Sequence, residues 1–125
     1  MREAITLYEA VGGMPFFEHL VDRFYDGVAG DEVLRPLYPE DLTAPSRHLT
    51  LFLAQYWGGP LTYDQERGHP RLRMRHGPFA IGPEARDRWL VHMGAAVEAM
   101  APPPAAREAL LEYFETAAEA MRNRD

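Results

Sequence analysis

The segment 14-MPFFEHLVDRFYDGVA-29 indicates a helical fold, because its apolar residues recur at steps of three and four. The apolar stripe consists of Phe17, Leu20, Val21, Phe24 and Val28. A glycine pair, Gly12-Gly13, precedes the segment, and Gly30 follows it as a typical helix end. The pattern therefore predicts one amphipathic helix that buries this stripe in a core.

Three further helical segments lie outward from this one. The first runs from Pro45 to Tyr56 and stops at a second glycine pair, Gly58-Gly59. Another opens at Gly82-Pro83-Glu84, where an early proline and a first-turn acid favour a helix start. The last begins at about residue 104. The fold class is therefore all-α, with four principal helices in one domain over residues 1–125.

The connecting segments differ in what their residues predict. Asp31 is expected to cap a short turn that Pro36 and Pro39 keep from extending. Residues 60–75 are rich in Pro, Gly and Arg, and they predict a long loop. A loop of that length in a small domain is usually functional.

Composition excludes several classes of protein. The net charge of −6 argues against a nucleic-acid partner, which usually meets a basic face. The absence of Cys excludes a disulfide framework and a Cys-based zinc site. The chain has no run of about 18 apolar residues and no signal-peptide core. We therefore expect a soluble cytoplasmic protein with no membrane partner.

The segment HPRLRMRHGPF, residues 69–79, departs from this acidic background. It places Arg71, Arg73 and Arg75 on alternate positions between His69 and His76. Such a concentration of guanidinium groups is suited to carboxylates or another anion. The segment is therefore the first candidate for a binding site.

The residues alone leave four interpretations of His76 open. It could be a surface or capping histidine beside solvated arginines. A zinc site is weaker, since His69 and His76 lie too far apart for one helical face. A nucleophilic triad lacks Ser or Cys in a suitable turn. The fourth interpretation is an axial haem ligand, with arginines beside it for the haem carboxylates.

Five blocks of the sequence strongly resemble the truncated haemoglobins, and most closely group II, or the O type. The blocks are YEAVGG (8–13), RFYDGVAGDEVLRPLYPEDL (23–42), FLAQYWGGP (52–60), RGHPRLRMRHGPF (67–79) and ARDRWLVHM (85–93). The resemblance implies a two-over-two α-helical sandwich, a shortened globin fold around haem b.

The resemblance also implies the residues of a haem site. His76 matches the iron ligand, and Tyr25, Tyr38 and Trp89 match the polar residues that face a bound ligand. The remaining residues expected around the haem are Arg75, Arg73, Tyr63 and Arg47 at its propionates, His48 at its edge, and Leu49, Phe52, Phe79 and Met93 against its ring. Pro45 departs from the group, which has a small residue there, and no distal histidine is expected to contact the ligand.

The implied function is reversible binding of O₂ and other diatomic ligands at a five-coordinate iron. Several converging donors favour slow O₂ release, and hence redox chemistry on O₂, NO or peroxide rather than transport. The expected partners are an electron-donating reductase and, as a candidate, a second copy of the chain in a homodimer. Oxygen storage or sensing is the alternative, followed by a cofactor-free helical interaction module.

Overall fold

The computed structural model of the chain describes residues 5–77 and 79–124, apart from the side chains of residues 72 and 73. Within these residues the regular structure is entirely helical, which confirms the all-α prediction. The helices are α1 (Leu7–Ala10), α2 (Met14–Ala29), α3 (Thr43–Tyr56), α4 (Thr62–Arg67), α5 (Leu72–His76), α6 (Pro83–Met100) and α7 (Pro104–Met121), with one 3₁₀ turn at Arg35–Leu37. In this part of the chain, no helix is long and apolar enough to cross a membrane.

The four long helices form two layers. Helix α2 packs against both α3 and α6, and α6 packs against α7. The pairs α2–α3 and α6–α7 therefore lie one over the other, as in the two-over-two sandwich that the resemblance implies. The short helices α4 and α5 connect the two pairs, and they contact α3 and α7 respectively.

The apolar stripe of α2 forms the centre of the core. All five of its residues on α2 are fully buried. Each such side chain contributes about 1.5–3 kcal/mol of burial energy. On the facing helices, Leu53, Val97, Leu110 and Phe114 are buried against the same cluster. The period of the apolar residues therefore identified both the helix and the face that it buries.

The prediction of a loop over residues 60–75 is wrong, because the segment contains α4 and α5. Each has six residues or fewer, too few to show a full helical period. Their support is tertiary: Tyr63 is buried against the core, and the side chain of Gln55 accepts the backbone N–H of Asp64 at 2.9 Å. The local sequence does not reveal these partners.

Helix α3 begins at Thr43, two residues before the predicted start at Pro45. Pro45 therefore lies in the first turn. Backbone N–H groups of a first turn have no partner within the helix, so the missing N–H of proline costs little there. The helix continues through Pro45, and that residue faces the cavity described below.

The second glycine pair, Gly58-Gly59, allows the start of α1 to pack closely on the end of α3. Gly58 has φ of +103°, and a Cβ there would lie 2.6 Å from the side chain of Thr6. A Cβ on Gly59 would lie 2.6 Å from the ring of Tyr8. The N–H of Tyr8 donates to the carbonyl of Trp57 at 3.0 Å. Glycine is therefore required at this corner for steric reasons.

Asp31 caps the turn after α2, as predicted. One carboxylate oxygen accepts the N–H groups of Val33 and Leu34 at 2.8 and 3.0 Å. From α6, His92 Nε2 lies 2.7 Å from the other oxygen, and Arg88 lies 3.3 Å from the first. Although burial alone would raise its pKa, these hydrogen bonds and the Arg88 charge hold the pKa of Asp31 at about 2. The carboxylate thereby ties the start of the segment leading to Tyr38 to α6.

We expect Asp31→Asn to lower the melting temperature near neutral pH by a few degrees, since it removes the charge without changing the shape. The folded-state pKa of Asp31 is depressed. Its contribution to stability is therefore complete above the ordinary carboxyl pKa and is lost as the pH falls towards 2. The difference in melting temperature between the two proteins should shrink over that range. Thermal unfolding followed by circular dichroism from pH 7 to pH 2.5 measures this.

The matched control is Asp22→Asn, at an exposed position on α2. It should leave the melting temperature unchanged near neutral pH. A gap between wild type and Asp31→Asn that stays constant down to pH 2.5 would contradict the role assigned to the charge.

Candidate functional site

A cavity of about 360 Å³ lies between the two helix pairs. Most of its lining is apolar, and every helix except α1 contributes to it. Leu49 and Phe52 of α3 and Phe114 of α7 belong to its walls. Because the packed elements surround it, the cavity is a preformed slot for an apolar ligand.

Three polar aromatic residues from separate elements meet in this slot. Tyr25 lies on α2, Tyr38 directly follows the 3₁₀ turn, and Trp89 lies on α6; all three line the cavity. The rings of Tyr25 and Tyr38 pack edge to face, with centroids 5.5 Å apart. The ring of Phe24 packs against those of Tyr25 and Trp89, with centroid distances of 5.0 Å and 5.1 Å respectively.

Burial keeps both tyrosine hydroxyls protonated. It raises the pKa of Tyr38 to about 12, although a hydrogen bond from the Trp89 side chain acts in the opposite direction. Burial also raises the pKa of Tyr25, and the neighbouring Tyr38 adds to the effect. An indole N–H can only donate, so the Tyr38 oxygen accepts it and the Tyr38 proton remains able to donate.

His76 is the last residue of α5 and is half-buried at the cavity wall. Of the described residues, His48 is the other histidine that lines the cavity. His48 Nε2 lies 3.1 Å from a guanidinium nitrogen of Arg67. Burial and the charges of Arg67, Arg47 and Arg75 lower the pKa of His48, so its imidazole is neutral. His69, by contrast, is exposed, and its Nδ1 accepts the N–H of Arg71 at 3.1 Å.

Two arginines lie at one edge of the cavity. Arg75 lines it, and its guanidinium donates to the carbonyl of Pro70 at 2.7 Å and to that of Arg67 at 3.3 Å. Arg67 also lines it, with its guanidinium carbon 5.9 Å from the centre of the Tyr63 ring. The Nε of Arg67 is buried and has no hydrogen-bond partner among the described residues. A buried donor without a partner is costly, so this edge is suited to an anionic group.

The other predicted residues fall in different places. Tyr63, Leu49, Phe52 and Phe79 line the cavity. Arg47 pairs with Glu66 at 2.6 Å on the surface, and Arg47 is not part of the lining. Met93 is fully buried in the core and does not line the cavity either. The side chain of Arg73 lies outside the described residues.

Arg67 is the main site residue that the sequence did not reveal. It follows Tyr63 by four residues, so the two share one face of α4. That relation becomes visible only when the segment is recognised as a helix, whereas its composition predicts a loop. Tyr113 and Met121 of α7 also line the cavity, and the sequence did not point to them.

The residues present fit haem. The group is a flat apolar disc with two carboxylates on one edge and an iron that takes an axial imidazole. The cavity offers apolar walls, two arginines at one edge and His76 at the wall. Across the described residues, no group of three His, Cys, Asp or Glu side chains stands close enough to hold a bare metal ion. A single imidazole at the cavity wall is the ligand that haem iron needs, since the porphyrin supplies the other ligands.

Known proteins of similar sequence and structure agree with this fit. Residues 6–123 match the model of a family described as bacterial-like globin. The group 2 truncated haemoglobin YjbI of Bacillus subtilis is 43% identical over 116 residues, which is 93% of this chain and 87% of that protein.

Two crystal structures are also similar. A thermostable haemoglobin of Thermobifida fusca has a TM-score of 0.93 and 58% identity, covering 95% of this chain and 98% of its own. The group II truncated haemoglobin of Bacillus anthracis has a TM-score of 0.95 and 40% identity, covering 98% and 95% respectively.

Proposed function

The chain belongs to the bacterial-like globin family and, within it, to the group II truncated haemoglobins, and we propose that it holds haem b in the cavity and binds O₂ and other diatomic ligands at a five-coordinate iron. The observation that carries the proposal is the meeting of Tyr25, Tyr38 and Trp89 in the same apolar cavity that His76 lines. The family implies the haem and the ligand binding, and the roles of the individual residues are part of the proposal.

Haem supplies an iron with one open position for a diatomic ligand and, when electrons are provided, redox chemistry on that ligand. His76, at the end of α5, would hold the iron. Arg67, Arg75 and Tyr63 would bind the two carboxylates. The residues proposed to pack against the ring are Leu49, Phe52 and Phe79.

The polar aromatic residues favour ligands that gain negative charge. Tyr25 and Tyr38 stay protonated because burial raises the pKa of each hydroxyl. Each hydrogen bond to the ligand is worth about 0.5–1.5 kcal/mol net, and each ~1.4 kcal/mol changes affinity tenfold. Two such bonds, one from each tyrosine hydroxyl, give slow O₂ release, while CO, which polarises less, gains less.

Slow release is unsuited to oxygen transport and favours redox chemistry on O₂, NO or peroxide. Such chemistry consumes electrons, so the proposal includes a reductase. It also includes a homodimer and a cytoplasmic location.

Absorption spectroscopy tests the proposed function. The purified protein, after titration with hemin, should show a Soret band with distinct ferric, ferrous and O₂-bound spectra. The pyridine complex of the extracted cofactor should identify haem b. A colourless preparation that takes up no added hemin would exclude the proposal and favour a cofactor-free helical module.

We expect Arg67→Met and Arg75→Met each to speed haem release about threefold to tenfold, which corresponds to the loss of one hydrogen bond of roughly 0.5–1.5 kcal/mol. Both guanidinium groups lie at the cavity edge. The measurement is the rate of haem transfer to an excess of a colourless apoglobin.

The control for this pair is Arg47→Met. Arg47 is about half exposed and pairs with Glu66 on the surface. An exposed ion pair of this kind contributes little, so the release rate should stay close to that of the wild type. Equal acceleration in all three variants would contradict the assignment of the cavity edge to the haem carboxylates.

A further inference from the structure

The backbone that follows His76 is held by one side chain from a distant part of the sequence. The side-chain amide of Asn123 donates to the carbonyl of His76 at 3.2 Å and to that of Phe79 at 2.9 Å. Its oxygen accepts the N–H of Ile81 at 2.8 Å. All three functional groups of the amide, two N–H donors and one oxygen, are therefore used on the segment 76–81.

The main chain around Asn123 adds two more bonds to the same segment. The N–H groups of Asn123 and Arg124 both donate to the carbonyl of Ile81, at 2.8 and 3.0 Å. Helix α7 ends at Met121, and Arg122 turns into an extended conformation, with φ −62° and ψ 130°. This turn directs the chain after α7 along the segment that begins at His76.

The contacts matter because α5 is too short to be stable alone. It has five residues, and His76 is the last of them. A helix of about one turn gains little from its own hydrogen bonds, so packing and outside contacts fix its geometry. The carbonyl that Asn123 binds belongs to the residue whose imidazole faces the cavity. The carbonyl carbon is bonded to the Cα that carries the imidazole, so fixing this carbonyl restrains the position from which the side chain starts.

We propose that Asn123 is a positioning residue that fixes the backbone at His76 and thereby the orientation of its imidazole towards the haem iron. This inference rests on the proposed function, because it takes His76 as the axial ligand. It adds a residue outside the cavity to the machinery that sets the bond between imidazole and iron. A ligand held in one orientation is the usual effect of such supporting contacts.

The chemistry of the contact requires an amide. Aspartate at position 123 has nearly the same shape and still accepts the N–H of Ile81, but its ionised carboxylate donates nothing. It would instead face the two carbonyl oxygens of His76 and Phe79. Alanine removes all three side-chain bonds to the segment 76–81, and also the bond that the Asn123 oxygen accepts from the Arg124 guanidinium at 3.3 Å. Both substitutions leave the two main-chain bonds to Ile81 in place, so the chain after α7 can still pack here.

The test compares the haem-loaded Asn123→Asp and Asn123→Ala variants with the wild type. In resonance Raman spectra of the ferrous, ligand-free protein, the iron–histidine stretching band should shift or broaden in both variants. Haem transfer to an excess of a colourless apoglobin should be about fivefold to tenfold faster, which corresponds to the free energy of roughly one of the lost hydrogen bonds. The control is Arg122→Ala, because the Arg122 side chain contacts Arg124 and Glu119. Its band and transfer rate should match those of the wild type.

The outcomes separate this inference from the function on which it rests. If both Asn123 variants show the same iron–histidine band as the wild type, Asn123 is a purely structural contact, even if the melting temperature falls. That result overturns this inference and leaves the proposed function intact. A haem-loaded wild type without an iron–histidine band removes His76 as the ligand and overturns both. If Asn123→Asp does not fold, Asn123→Ala, which introduces no charge, still shows whether the band depends on the amide.

Discussion

Replacement of His76 by alanine is expected to speed haem release by roughly a hundredfold or more, equivalent to ~2.7 kcal/mol or more of lost binding energy. His76 lies at the cavity wall on α5, and we assign to it the protein's bond to iron. After its loss, the haem is held by apolar packing and by the two arginines at the cavity edge. Haem transfer to an excess of a colourless apoglobin measures the rate, and the loss of the iron–histidine band identifies the cause.

His69→Ala is the matched control for this substitution. His69 lies in the same arginine-rich segment but is exposed and bonds to the backbone N–H of Arg71. Its removal should leave haem release unchanged. His48→Ala provides a second comparison, since His48 lines the cavity and contacts Arg67. If His48→Ala speeds haem release strongly and His76→Ala only slightly, His48 and not His76 is the iron ligand.

Trp89→Phe is expected to raise the O₂ dissociation rate about fivefold to tenfold, given ~1–1.5 kcal/mol for one hydrogen bond. The substitution keeps an aromatic ring beside Phe24 and Phe114, whose centroids lie 5.1 and 5.7 Å from that of Trp89. It removes the N–H that donates to Tyr38. The Tyr38 hydroxyl then loses the partner that orients it, so its own hydrogen bond to the ligand is weakened or lost. In low-dielectric surroundings such losses are larger than in water.

CO provides the internal comparison for this prediction. It polarises less than O₂, so its dissociation rate should change less. Stopped-flow displacement of each ligand measures both rates. Trp57→Phe makes the same chemical change outside the cavity lining and should alter neither. Unchanged O₂ release from Trp89→Phe, or an equal increase for CO, would make Trp89 a packing residue.

The long helices could be predicted from the sequence because their signal is local. On α2 the five apolar residues recur along one helical face, and all five are buried. Helices α4 and α5 could not be predicted, since their stability comes from α3, α7 and the core. No pattern within six residues reports such contacts.

The same distinction applies to the site. The positions of Tyr25, Tyr38 and Trp89 in one cavity could be anticipated through family resemblance, although three separate segments carry them. Which of these groups donates to which could not be anticipated, because it depends on the relative placement of Trp89 and Tyr38. The contacts of Asn123 could not be predicted, because its partners lie more than 40 residues earlier in the chain. Sequence reasoning therefore identified the residues that carry chemistry more readily than those that hold them in place.

The buried phenol groups set an alkaline limit for this fold. Burial raises the pKa of Tyr38 and Tyr113 to about 12 and raises that of Tyr25 as well. In the unfolded chain all three ionise near pH 10, the ordinary value for tyrosine. Folding therefore favours the protonated phenols, and their stabilising contribution is complete below pH 10 and declines as the pH rises above it. In strong base, ionisation of these hydroxyls therefore favours unfolding. The cavity is lost together with the protons of the hydroxyls that suit it to O₂.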